Sequence, residues 1–177
     1  MPSVKVVRTY LELRTPAALR ASACDDAMIR LVRAPRGAVD LFRHLYREVG
    51  AEYHWRDRDA LPDDDLRACL ESPDVQLWVL YHREDVAGFF ELRRHADASV
   101  EIAYFGLVAR FIGRGLGKYL LSRAAEAAWH MDAERVWLHT CTLDAPSALP
   151  NYLARGFEPV RVESYQTVVP DEPDGRP

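Results

Sequence analysis

The chain has 177 residues, 49% hydrophobic and 28% charged, with a formal net charge of −4. That length fits one globular domain large enough to need no disulfide or metal staple, and the acidic balance excludes the broad basic footprint of a dedicated nucleic-acid binder. No apolar run approaches the roughly 18 residues of a membrane span, and the opening MPSVKVVRTY lacks the layout of a secretory signal. Three widely spaced cysteines, Cys24, Cys69 and Cys141, form neither a disulfide framework nor a zinc pattern. A cytoplasmic protein with reduced thiols is expected, with no membrane and no nucleic-acid partner.

In chain order, residues 4–14 (VKVVRTYLELR) are rich in β-formers and read as a strand, and residues 27–34 read as a second. Over 37–50 the period changes. Val39, Phe42, Tyr46 and Val49 recur at helical spacing with Leu41 and Leu45 beside them, and Gly50 suits the stop. A polar stretch rich in aromatics leads to a short helix opened by Pro62, Asp63, Asp64 and Asp65, whose carboxylates suit the positive end of the helix dipole. Leu66, Cys69 and Leu70 form its inward side. Three strand-like runs follow, 75–82, 86–94 and 99–108, joined by the polar links REDV and HADA. Such links join antiparallel neighbours, because a parallel crossover needs about a dozen residues or more.

Helix, strand, helix and strand complete the chain. Residues 115–131 are amphipathic through Leu116, Leu120, Leu121, Ala124 and Ala128, and 136–142 (VWLHTCT) is a strand. Residues 147–155 form a short helix in which Pro150, third after an N-cap Ser147, forfeits no helical bond. Gly156 stops it, and 157–169 closes as a strand. The predicted fold is α+β: a mixed, mainly antiparallel sheet of about six to seven strands flanked by about four helices. One domain is expected over 1–169, with 1–26 as an N-terminal extension carrying an extra strand. The residues 170–177 (PDEPDGRP) are expected to be a disordered tail.

The most informative segment is 105–121, FGLVARFIGRGLGKYLL. A strand ends, a loop carries Gly113, Gly115 and Gly117, and an amphipathic helix begins at once. Glycines there let amides turn toward a ligand without Cβ interference. The unpaired amides of the first helical turn add an anion site suited to a phosphate or pyrophosphate. A P-loop is excluded, since no Lys-Ser/Thr pair follows at the required spacing. A Rossmann site is disfavoured, since its glycines belong to the first βαβ unit and here an antiparallel meander comes first, although Asp144 imitates the ribose-binding acid.

These residues resemble the GNAT superfamily of acyl-CoA-dependent N-acetyltransferases, whose signature is Gln/Arg-x-x-Gly-x-Gly/Ala at a strand–helix junction. Here it maps to Ile112, Gly113, Arg114, Gly115, Leu116 and Gly117, followed by Lys118. A second motif, DAPSALPNYLARGF, is similar to the family's Asn-x-x-Ala-x-x-x-Tyr-x-x-x-Gly-Phe through Ala148, Tyr152, Gly156 and Phe157. The resemblance runs over roughly 27–169. Two positions depart from it: Ile112 replaces the Gln/Arg, where Arg110 or Arg114 offers charge instead, and Ala145 replaces the Asn, where Asp144 or Asn151 substitutes. The resemblance implies acetyl-CoA as cosubstrate, no metal, and direct transfer of the acetyl group to a primary amine in a ternary complex. The acceptor is a small-molecule or peptide amine, and oligomeric state, a homodimer included, stays open. It also implies that amides around Leu107, Val108 and Ala109 align the pantetheine arm and polarise the thioester.

An amine is mostly protonated at neutral pH, so transfer needs a base, and the departing thiolate needs an acid. Glu101, eleven positions before Ile112, is the expected base, at the offset where some relatives carry a glutamate base. By period two it shares a face with Ala103, Phe105 and Leu107. Glu91 on the preceding strand is the rival, placed with Tyr53 and Trp55 among the residues expected to bind the acceptor. Tyr152, by the resemblance, offers its hydroxyl to the sulfur as the acid. The loop Tyr53, His54, Trp55, Arg56 and Arg58 can hold a cation on ring faces or a carboxylate on guanidinium. Six scattered histidines show no ligand spacing. His139 reads as a core residue and Cys141 as a buried thiol. The alternatives weighed are a CoA-binding sensor without catalysis and a nucleotide-binding enzyme using the same loop.

Overall fold

The computed structural model describes residues 3–50, 53 and 55–168, so the tail expected to be disordered lies outside the described residues, as does His54. The apolar spacing after Gly37 does make a helix, but it begins at Val39, because Gly37 takes a φ of 70° and closes a turn first. The elements are β1 (Ser3–Leu13), β2 (Ile29–Arg33), α1 (Val39–Gly50), α2 (Asp63–Glu71), β3 (Val75–His82), β4 (Asp85–Arg94), β5 (Ser99–Leu107), α3 (Leu116–Trp129), β6 (Arg135–Cys141), α4 (Ala148–Ala154) and β7 (Glu158–Val168). Pro150 is the third residue of α4 after its N-cap Ser147. Among the described residues no helix is long and apolar enough to cross a membrane.

One seven-stranded sheet runs in the order β2-β3-β4-β5-β6-β1-β7. Every neighbouring pair is antiparallel except β5 and β6. β1, expected as an extra strand of an extension, is built into the sheet: residues 8–13 pair with β6 and residues 3–12 with β7. A meander therefore forms one half of the sheet, and the N-terminal strand knits the other half together.

Successive strand residues face opposite sides, and the two sides carry different helices. Phe89 and Tyr104 meet Phe42 of α1 at ring-centroid distances of 6.3 and 6.2 Å. Phe105 turns the other way and meets Tyr152 of α4 at 6.2 Å. α3 lies beside α4, tied to it by Asn151 Nδ2 donating to the Gly117 carbonyl at 3.3 Å. Fully buried Phe42, Leu45, Phe89, Phe90, Leu92, Leu120 and Leu121 fill the two layers, and burial of each such side chain is worth about 1.5–3 kcal/mol.

One β-bulge re-aims the side chains of β5. Glu91 pairs with Tyr104 and Leu92 with Ile102, so Ala103 is an extra residue in β5. Glu101, which pairs with Arg93, therefore shares its face with Tyr104 and not with Phe105 and Leu107 as strict alternation had it.

Candidate active site

β5 and β6 pair only over Ser99–Arg135, Val100–Val136 and Glu101–Trp137. Beyond Glu101 the two strands diverge, and a cavity of about 1050 Å³ opens between them, lined from β5, β6, α3, α4 and the 55–58 loop. Parallel strands that part leave edge donors and acceptors without a ladder partner, which is what an extended ligand needs to lie in the sheet as another strand.

At one end of this cavity stands the glycine turn. A 3₁₀ turn, Ala109–Phe111, leads from β5 to Ile112. Gly113 and Gly115 then take φ of 83° and 76°, in the left-handed region that favours glycine. Among the described residues the amides of Gly113, Arg114 and Gly115 have no backbone acceptor. Those of the first turn of α3, from Leu116 to Lys118, lack intrahelical partners by geometry, and no side chain caps the helix. Unpaired donors, a helix dipole and Lys118 at the cavity wall suit a diphosphate. Leu107, Ile112, Gly113, Gly115, Gly117, Lys118, Asp144 and Asn151 line the cavity. Arg114 instead lies over the Phe111 ring at 5.1 Å, and Arg110 pairs with Asp85 at 3.4 Å. Asp144 accepts from Thr140 Oγ1 at 2.7 Å and the Cys141 amide at 2.8 Å, which ends β6 and fixes the start of the next turn. Of the three amides expected to face the thioester, that of Val108 is already committed to the Ala87 carbonyl at 2.9 Å. Alternation then turns the Leu107 amide toward the open edge.

Glu101 lines the cavity just where the strands part, its side chain 16% exposed, with Oε2 2.9 Å from His95 Nε2. His95 was not foreseen; it follows β4, and the tight link to β5 folds it back onto Glu101. Tyr152 lines the opposite wall, ringed by Phe105 and Phe157. Burial, with the charge of Asp144 second, pushes its phenol above the ordinary value.

The side of the cavity where the acceptor is expected is built by the 55–58 loop against α1 and β5. Tyr53 and Trp55 line it. Trp55 is held by Tyr104 at 5.3 Å and Tyr46 at 5.5 Å, and it fits because Gly50 leaves room: a Cβ there would stand 2.7 Å from the indole. Asp57 accepts hydrogen bonds from the hydroxyls of both Tyr46 and Tyr104. Burial alone would raise its pKa, but the phenol hydrogen bonds of Tyr104 and Tyr46 outweigh it and hold the carboxyl below its ordinary value. This cluster was legible only as two aromatics and an acid far apart in sequence.

Three expectations are corrected here. Glu91 is not on the cavity surface but wholly buried behind it, with Oε1 3.0 Å from Arg58 Nη2 and 3.4 Å from Arg93 Nη2. Burial pushes its carboxyl up against the pull of those two guanidiniums. Cys141 is half-buried at the cavity wall, its thiol pushed up by burial. His139 is no core residue but stands exposed at the cavity wall, where desolvation by the surrounding walls and then the charge of Arg8 lower its pKa. Both sit on the face of β6 that also carries Trp137, beyond the point where β5 parts from it.

The parted sheet with a glycine turn at the head of the next helix defines the N-acetyltransferase class of fold. Residues 40–157 match the acetyltransferase (GNAT) family, and the chain belongs to that family. Among solved structures, a GCN5-related N-acetyltransferase from Kribbella flavida is 18% identical with a TM-score of 0.64, covering 93% of this chain and 58% of its own. A tandem GNAT protein from the clavulanic acid biosynthesis pathway is 16% identical with a TM-score of 0.60, covering 94% and 55%. An aminoglycoside acetyltransferase from an uncultured soil metagenomic sample is 16% identical with a TM-score of 0.62, covering 73% and 88%. The chain spans less than two thirds of the first two, and likeness at these identities concerns the fold alone. No curated protein matches the sequence.

Proposed function

We propose that the protein is an acetyl-CoA-dependent N-acetyltransferase that acts on a primary amine by direct attack in a ternary complex. One observation carries the reading: a single cavity joins the unpaired amides of the Gly113–Gly117 turn to the carboxylate of Glu101 through the parted strands. The amides of the turn and Lys118 would hold the diphosphate, and the open edge of β5, led by the Leu107 amide, would align the pantetheine arm. When bound, acetyl-CoA supplies an acyl thioester, a carbonyl carbon open to attack and a sulfur that can leave. Glu101 takes the proton from the acceptor amine, with His95 at 2.9 Å fixing its carboxylate. Tyr152 Oη, still protonated because burial raises its pKa, donates toward the sulfur. Trp55, Tyr53 and Tyr104 would present ring faces to the acceptor.

The departures at Ile112, 46% exposed, and Ala145 touch side chains and leave the amide cradle intact. The test is release of coenzyme A thiol across a library of amines, with calorimetric binding of acetyl-CoA alongside. Binding with turnover supports the reading. Binding with no release on any amine would favour a CoA sensor, and no binding would remove the cradle assignment.

A further inference from the structure

We propose that the acceptor is a zwitterion, an α- or β-amino acid whose carboxylate is held by Arg93 while its amine meets Glu101. The proposal rests on the acetyl-transfer reading above and names the substrate class of that site. Arg93 and Glu101 are directly opposed on β4 and β5, so their Cβ atoms lie about 5 Å apart on one face, and both line the cavity. Opposite charges so placed would ordinarily pair. Among the described residues they do not: Glu101 turns to His95, and Arg93 turns to Cys69 Sγ at 3.0 Å and Glu91 Oε1 at 3.4 Å, both through Nη2. The other nitrogens of Arg93 have no protein partner among the described residues, and its side chain is one-third exposed.

The neighbouring charges are already spent. Arg58 gives Nη2 to Glu91, Nη1 to Cys69 Sγ and Nε to Tyr104 Oη. Asp57 is taken by its two phenols. Glu91 has no exposure at all and touches the cavity only through Arg58 and Arg93. A carboxylate buried at such desolvation cost fixes two guanidiniums from behind. Oε1 of Glu101 and the uncommitted nitrogens of Arg93 stand on one face side by side, the complement of an ammonium and a carboxylate a short linker apart. Although the chain as a whole carries −4, the cavity wall carries Arg8, Arg56, Arg58, Arg93 and Lys118 against Asp57, Glu101 and Asp144, an excess of positive charge that opposes a polycation.

The experiment compares standard amino acids with their α-carboxamides, their decarboxylated amines and an aminoglycoside, by thiol release and by calorimetry on the protein saturated with coenzyme A. An acid is expected to be preferred over its amide by about 100-fold in kcat/KM. R93Q should bring that ratio to within a few-fold of one. R93K, which keeps the charge but loses the fork, should cut it about tenfold and serves if R93Q fails to fold. Amides, simple amines or the aminoglycoside used as well as the acids would overturn the proposal, as would a preference that survives R93Q. Acetyl-CoA binding with neither acid nor amide binding or reacting would overturn it alone. Failure to bind acetyl-CoA would overturn the parent reading as well.

Discussion

Replacing Tyr152 with Phe removes one hydroxyl and keeps a ring that is 6% exposed and set between Phe105 and Phe157. The hydroxyl has no protein partner among the described residues, so its loss orphans nothing and the fold should tolerate it. Burial holds the phenol above its ordinary value of 10, whereas a free thiol titrates at roughly 8.5. Complete transfer of the phenol proton to the departing sulfur is therefore uphill by at least about 1.5 pH units, or about 2 kcal/mol. In the proposed reaction Tyr152 would then act chiefly as a hydrogen-bond donor to sulfur as it gains charge. A hydrogen bond to a charged group contributes about 1.5–3 kcal/mol, which is about 10- to 150-fold in rate. Y152F should lower kcat for thiol release by that factor, with the Kd for acetyl-CoA changed by less than about twofold. The ratio of wild type to variant should stay flat between about pH 6.5 and 9.5, because the phenol keeps its proton throughout. A ratio that collapses toward one above about pH 8 would refute the raised phenol, and an unchanged kcat would refute its contact with the sulfur.

Glu101→Gln keeps the shape of the proposed base and removes its proton affinity, so kcat/KM at neutral pH should fall by about 10²–10⁴-fold; a loss under about threefold would move the base elsewhere. Asp57→Asn tests linkage. Since the phenol hydrogen bonds depress the folded pKa below the unfolded value of 3.8, the stabilisation is complete above that value and disappears as pH falls through the folded one. Tm of the wild type should therefore drop more steeply than that of D57N below about pH 4, and parallel curves would contradict the cluster. Gly156→Ala places a Cβ 2.1 Å from the Ala18 carbonyl oxygen at a φ of 99°. It should cost about 2–4 kcal/mol, lowering Tm by roughly 4–16 °C, as read by circular dichroism. A change under about 2 °C would mean the 18–20 segment simply moves aside.

Local pattern carried most of the fold. β3 occupies the 75–82 run read from composition, and Pro150 sits where the capping argument puts it. The glycine turn was equally legible, because chemistry that depends on backbone amides leaves its trace in residues that lack a Cβ. The place of β1 was not, since its partners β6 and β7 lie at the far end of the chain and nothing in its own composition names them. The side-chain chemistry was legible only as far as register was. Period two over β5 puts Ala103 and Phe105 beside Glu101, but the single extra residue at Ala103 turns Phe105 toward Tyr152 and brings Tyr104 round to Glu101, Arg93 and Asp57 instead. The same bulge sharpens the local twist of a strand about to leave its parallel neighbour. The device that hid the surroundings of Glu101 from the sequence is therefore tied to the one that makes the slot. A substitution that repaired the register would be expected to close the site as well as to rearrange it.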